Sequence, residues 1–275
     1  MYFNKNLLFF NFSDNLKIDF CDGAYALCDE KWHDTNVCSP FSRLYYIIDG
    51  EGVLEYEEKK IRMKAGNMYF IPLGLRFSYS CAERLEKLFF HLNISIPGIN
   101  DLFYGCQKIA SIKSDNINEI YRLYLSRRGD DMLRLLNMIR SDVLKFISIP
   151  DMGVTIPEPY CRTVSNAMYY INRNLSVKLN IKSVADALFI SESKLSKEFR
   201  RETGISIGQY IDNRIIFEAE KGLAQPGCSI TSLSESLGFC DRFYFSRRFK
   251  EKTGKTPSEY RKQIGNTYAT ETQTT

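Results

Sequence analysis

Lys197 and Arg200 recur fifty positions later as Arg247 and Lys250, and the residues around them recur as well. Leu195-Ser-Lys-x-Phe199-Arg…Thr203-Gly204…Tyr210 becomes Phe245-Ser-Arg-x-Phe249-Lys…Thr253-Gly254…Tyr260. A guanidinium is a planar donor fork that fits the O6/N7 edge of guanine, whereas ammonium and hydroxyl groups suit phosphate oxygens. The chemistry on offer is recognition of a nucleic-acid duplex. Metal chemistry has little to draw on: the chain holds two histidines, His33 and His91, and its eight cysteines show neither a CxxC pair nor metal-ligand spacing.

These side chains need rods to carry them. Upstream of each phrase, Ile181…Val184-Ala185…Leu188 pairs with Ile230…Leu233-Ser234…Leu237 at a spacing of forty-nine rather than fifty. One residue is therefore inserted between two short helices, and the repeated unit is a short helix, a tight turn and a second helix. Gly238 marks the end of the first helix in the second copy. Ser191 and Asp241 can cap the helices that follow, and Gly204 and Gly254 can end them. A capping box comes next in each copy, Ser206-x-x-Gln209 and Thr256-x-x-Glu259.

Helix geometry assigns the faces. At about 100° per residue, with Leu195 at zero, Phe199 falls near 40° on the core side, and Ser193, Ser196, Lys197 and Arg200 fall at about 100–200°. The same count from Phe245 puts Phe249 in the core and Phe243, Ser246, Arg247 and Lys250 outside. Arg242 lies at the helix N-terminus, where a recognition helix meets base edges. Lys194 joins the candidate set. Arg247 and Arg242 are the candidate base readers, and Lys197 either reads a base or holds a phosphate. Phe243 either packs on a thymine methyl or lies against the neighbouring helix. For a single Lys or Arg a solvated face is the default reading; recurrence of the whole unit outweighs it.

Bulk properties fit two domains of ordinary size in 275 residues. Residues 161–275 hold 18 Lys/Arg against 12 Asp/Glu, leaving 19 against 21 for residues 1–160, so the basic end coincides with the repeat. The start of the chain lacks a secretory pattern and no 18-residue apolar run occurs, which predicts a soluble, cytoplasmic protein with no membrane association and reduced, mostly buried thiols.

The N-terminal third reads as strands. Arg43-Leu-Tyr-Tyr-Ile-Ile-Asp-Gly-Glu-Gly-Val-Leu-Glu-Tyr and Lys60-Ile-Arg-Met-Lys-Ala-Gly-Asn-Met-Tyr-Phe-Ile-Pro-Leu-Gly are aromatic and β-branched runs broken by Gly turns. Ile117–Leu125 and Asp131–Ile147 read as two helices separated at Arg127-Arg-Gly129-Asp130, the second with a wide apolar stripe. Pro150 to Pro159 reads as a helix-free linker.

Gly238-Phe239-x-Asp241-x-x-Tyr244-Phe245-Ser246-Arg247-x-Phe249-Lys250-x-x-x-Gly254-x-Thr256-Pro257-x-x-Tyr260-Arg261 resembles the C-terminal signature of AraC/XylS-type bacterial transcriptional regulators. The resemblance extends over about residues 161–262 and implies a seven-helix domain with two helix-turn-helix units that enter successive major-groove segments on one DNA face. Four positions depart from the pattern: Phe243 stands where Ser is usual, Ser234 replaces a small apolar residue, Arg214 sits one place early, and Gly222 occupies a usually apolar site. The connecting helix, roughly 209–223, is therefore expected to fray early.

The same resemblance implies a sensory double-stranded β-barrel. Gly66-x5-Pro72-x-Gly74 resembles the second cupin motif, and Asp49-Gly50-Glu51-Gly52 resembles the turn after the first. Arg43 falls at about the place of the metal-binding Glu and Phe77 at that of the second-motif His, so no metal and no cofactor are expected. Trp32 and Tyr45 offer rings for stacking and Arg43 a fork for a carboxylate, phosphate or sugar hydroxyl. The alternatives are core packing for the rings and a surface ion pair for Arg43. His91 reads as a satisfied core residue.

The expected organisation is an α+β chain of two domains. A cupin-like β-barrel over 1–112 is followed by a helical hairpin over 113–149 and a linker over 150–160. An all-α DNA-binding domain over 161–265 then carries helix-turn-helix units at about 180–204 and 230–254, and a disordered tail covers 266–275. By resemblance the hairpin, through Leu135, Met138 and Ile139, is a homodimerisation surface, with packing inside its own chain as the other reading. Expected partners are promoter DNA, a second copy, a small-molecule effector such as a sugar or metabolite, and RNA polymerase. The function predicted is a transcriptional regulator, with activation the commoner outcome in the family. Two other readings stay open: a ligand-free regulator controlled by a protein partner, and a cupin enzyme fused to a DNA-binding domain.

Overall fold

The computed structural model describes residues 16–96, 99–154, 160–225 and 227–262. The chain divides into two compact units, one of strands with two helices and one of helices. The expected tail lies outside the described residues, as do 155–159 of the expected linker.

In the first unit, β1 (Lys17–Cys28), β2 (His33–Val37), β3 (Ser42–Tyr56), β4 (Lys59–Lys64), β5 (Asn67–Ile71), β6 (Phe77–Ser80), β7 (Leu85–Ser95) and β8 (Ala110–Lys113) form one connected sheet system. β3 is its spine. Its first half pairs antiparallel with β5 and β7, and its second half with β4 and β6. The changeover coincides with a register shift between Ile47 and Asp49. The Asp49–Gly52 phrase is thus not a turn: β3 runs through it and changes partners there.

The first half of β3 is buried on both faces, which is why it reads as a nearly unbroken apolar run. Tyr45 and Ile47 belong to the core with Trp32, Phe77, Tyr79 and Phe89. On the alternate positions, the Tyr46 hydroxyl donates to Asp142 at 2.9 Å, and Phe70 of β5 stacks with Phe146 at 5.1 Å. Those two partners lie on α2 (Gly129–Ile147), which follows α1 (Ile117–Leu125). Leu135 and Ile139, expected at a dimer surface, are buried on this inward stripe of α2 with Val143 and Phe146, and Met138 is half-buried. A side chain already desolvated by its own unit has no area left for a partner. The exposed apolar residues of the hairpin are Leu125, Leu133 and Leu144.

The second unit comprises α3 (Arg162–Arg173), α4 (Ile181–Ala187), α5 (Glu192–Thr203), α6 (Ile207–Ala224), α7 (Ile230–Ser236) and α8 (Arg242–Thr253), with a further helix opening over 257–262. Its core takes Leu195 and Phe199 from α5, Phe245 and Phe249 from α8, and Tyr210, Ile211 and Ile215 from α6. α6 runs on to Ala224 rather than fraying. Gly222 sits against Leu233, whose Cδ1 would lie 2.5 Å from an added Cβ, so the missing side chain makes room for close helix packing. Ser234, buried where an apolar residue was expected, donates its hydroxyl to the Thr231 carbonyl at 2.8 Å and so carries no unmet polar cost.

No described helix is long and apolar enough to cross a membrane. Of the eight cysteines, Cys28, Cys81 and Cys106 are buried, Cys21, Cys38, Cys161 and Cys228 are half-buried and Cys240 is exposed, so the expectation of mostly buried thiols holds for three.

Candidate nucleic-acid interface

The caps read from the sequence fix where α5 and α8 begin and end. Ser191 accepts from the Lys194 N–H, and Asp241 accepts from the N–H groups of Phe243 and Tyr244, both at 2.7 Å. The Tyr244 N–H above all holds the Asp241 carboxyl below the usual carboxylate range. Gly204 and Gly254 close the two helices in left-handed backbone, at φ 74° and 78°. The capping boxes are both formed: Ser206 with Gln209, and Thr256 with Glu259.

Burial then sets the rotation of each rod. Phe199 and Phe249 are fully inside, each worth about 3–5 kcal/mol against truncation to Ala. On α5 that leaves Ser193, Lys194, Ser196, Lys197 and Arg200 exposed; on α8 it leaves Arg242, Phe243, Arg247 and Lys250 exposed. Ser246 is half-buried and donates its only hydroxyl proton to the Arg242 carbonyl at 2.8 Å, so it can offer an incoming group acceptor lone pairs alone.

The cations sort into two sets. On the flanks, Arg201 pairs with Glu202 at 3.1 Å, Arg248 with Glu251 at 3.1 Å and also with Asp212 of α6, and Lys252 with Asp212 at 3.8 Å. The Asp212 pairs tie α8 to the connecting helix. Among the described residues Lys194, Lys197, Arg200, Arg242, Arg247 and Lys250 make no ion pair within 4.0 Å. An anion arriving at either exposed face displaces no carboxylate, only water and counterions.

The two turns differ, as the change in register requires. Phe189 and Gly238 hold equivalent places and both lie in left-handed backbone; the second copy then takes three residues to reach its cap and the first takes two. Phe189 is 95% exposed. Its backbone conformation carries no signal in the sequence, because Phe is a residue type that avoids this region.

In the strand unit the four residues singled out for a ligand, Trp32, Arg43, Tyr45 and Phe77, converge on one interior. Arg43 is 1% exposed, not a surface ion-pair residue, and donates to Ser39 Oγ at 2.8 Å and Tyr45 Oη at 3.2 Å. Trp32 stacks on Tyr79 at 4.3 Å. His91 is a core residue, stacked on Phe41 at 4.4 Å. Lys87 joins them unannounced: its ammonium lies 3.9 Å from the Tyr45 ring centroid and 4.0 Å from that of Trp32, with no exposed surface. The strand alternation Leu85-x-Lys87-x-Phe89-x-His91 puts it on the inward face, which is the signal that could have found it. The interior is therefore aromatic and cationic.

A family model described as a helix-turn-helix domain matches residues 184–263, which span both exposed helices. The arabinose operon regulatory protein of Escherichia coli is 36% identical over 229 residues, covering 78% of each chain. The Msm operon regulatory protein of Streptococcus mutans is 22% identical over 245 residues, covering 81% of this chain and 84% of that one. Among solved structures, ToxT from Vibrio cholerae aligns at a TM-score of 0.43 with 13% identity, covering 90% of this chain and 98% of that one. The 36% identity to the arabinose operon regulatory protein over more than two thirds of both chains, with two capped and cationic helices inside the matched span, decides the assignment. The chain belongs to the AraC family of DNA-binding transcriptional regulators.

Proposed function

We propose that the α4–α5 and α7–α8 pairs are two helix-turn-helix units whose second helices enter successive major-groove segments of promoter DNA, while the strand unit is a cupin-like sensor that biases their affinity. The observation that carries this reading is the set of six cations without ion pairs, three on each of two equivalently capped helices. At about 1.5 Å per residue the 18-residue α6 is about 27 Å long, of the order of the 34–36 Å that separates grooves one turn apart on one DNA face.

The sensing reading rests on Trp32, Arg43, Tyr45 and Phe77, joined by Lys87. Rings for stacking beside fork and ammonium donors suit a sugar or a small acid, and the kinship with an arabinose operon regulatory protein favours a sugar. An effector acts only through different affinities for two conformations, so its binding must be coupled to that of DNA. Homodimerisation falls to the exposed face of the hairpin, through Leu133 and Leu144, and activation through contact with RNA polymerase in the cytoplasm follows from the family.

Footprinting across intergenic regions with the full chain, with and without added sugars, tests the whole reading. Two protected major-groove segments on one face of the duplex are expected. Protection that no sugar or metabolite alters, with a protein captured on the strand unit, favours a regulator governed by a protein partner; no protected segment anywhere removes the DNA-reading assignment.

A further inference from the structure

The two recognition helices are not copies in what they offer a base. Ser193 and Phe243 stand fifty positions apart at the same place in the repeat, each on the exposed first turn of its helix. The first presents a hydroxyl and the second an aromatic ring. Phe243 is 68% exposed and takes no part in the helical core, whose buried rings are Phe199, Tyr210, Phe239, Phe245 and Phe249. Of the two roles open to it from the sequence, packing on a neighbouring helix is therefore not the one it has. The ring's neighbour is a cation: the Arg242 guanidinium lies 5.0 Å from its centroid. Arg247 and Lys250 continue the same exposed face.

An exposed ring amid cations that are not ion-paired fits a surface that is anionic at its edges and apolar at one point. The major groove is such a surface. Its floor displays one apolar group, the C5 methyl of thymine, while guanine offers O6 and N7 to a donor fork. Stacking against Phe243 restrains the Arg242 side chain before it meets DNA, which lowers the entropy lost on docking.

We propose that Phe243 makes α8 a reader of a thymine 5-methyl group, with Arg242 reading a guanine beside it, while α5 has no such preference. This rests on the DNA-reading assignment above and narrows it: the half-site under α8 contains a thymine beside a guanine, and the half-site under α5 is read by polar groups alone.

The test uses the full chain and a randomised duplex library. Selection with the wild type yields a preferred duplex, in which each thymine is then replaced singly by deoxyuridine, a change that removes one methyl group and nothing else. One position is expected at which the wild type binds the thymine duplex about fourfold more tightly, the fold-change that burial of one methyl group supplies. At that position Phe243→Ser is expected to bind both duplexes alike, and Arg242→Ala to lose preference for the adjoining guanine. Wild-type binding that is equal for thymine and deoxyuridine at every position overturns the proposal, as does a Phe243→Ser variant with an unchanged ratio. A Phe243→Ser variant that binds DNA as the wild type does yet fails to activate transcription assigns the ring to a protein surface and also overturns it. Failure to select any duplex removes the DNA-reading assignment itself, a separate outcome.

Discussion

Phe189 and Gly238 close equivalent helices and share a left-handed backbone, at φ 54° and 83°. In the second copy the conformation falls to the residue type that adopts it without strain; in the first it is imposed on an exposed ring. Phe189→Gly should relieve about 1–2 kcal/mol of strain, offset by the 0.5–1 kcal/mol of extra unfolded-chain entropy, and raise the melting temperature. Gly238→Ala should lower it, through a loss of about 1–3 kcal/mol of stability, since strain adds to a Cβ placed 2.2 Å from Ser176 Oγ. Thermal melts of the two variants should shift in opposite directions; shifts of the same sign would mean that the turn is not strained.

Tyr46 and Asp142 fasten α2 to the sheet. Burial and the neighbouring carboxylate hold the Tyr46 phenol well above its ordinary range, so it remains a donor at any working pH. Asp142 is buried and also accepts from Lys145 at 2.6 Å. Tyr46→Phe removes one of its two partners and should cost about 1–3 kcal/mol, read as a lower urea midpoint at an unchanged slope. A midpoint equal to the wild type would show that water replaces the lost donor.

Arg247 and Lys250 share a helix face but should act differently on DNA. Arg247→Ala should lose about 1–3 kcal/mol on the preferred duplex and relax discrimination at one base pair. Lys250→Ala should weaken all duplexes similarly and reduce the slope of log affinity against log salt by about one. Titrations at several salt concentrations separate the two, and identical salt slopes for both variants would refute the division of roles.

Acid should loosen the helical unit through its caps. Backbone N–H donors hold the carboxyls of Asp241 and Glu259 below their ordinary values, chiefly that of Tyr244 for the first and that of Thr256 for the second. A depressed folded value stabilises above the unfolded one, near pH 4, and that contribution is lost as pH falls through the folded value. Wild type should therefore melt above Asp241→Asn at neutral pH, and the gap should close on acidification below about pH 4. A gap that does not change with pH would assign the cap to hydrogen-bond geometry rather than charge.

Whatever repeats and local rules encode could be read along the chain before any fold was known. The caps at Ser191, Asp241, Gly204 and Gly254, the core rings Phe199 and Phe249, and the exposed cations all follow from helix period and capping chemistry, which act over a few residues. The kinship was legible for the same reason. Which apolar stripe is already covered emerges only on folding: Leu135 and Ile139 look like any interface until Phe70 and Tyr46, 76 and 96 positions before their partners Phe146 and Asp142, are brought beside the helix. Folding likewise turned Asp49–Gly52 from a turn into a strand changing partners, set Leu233 against Gly222, and drew Lys87 between Trp32 and Tyr45. Each of these depends on a neighbour supplied by another element, and side-chain pattern along one segment carries no record of that neighbour.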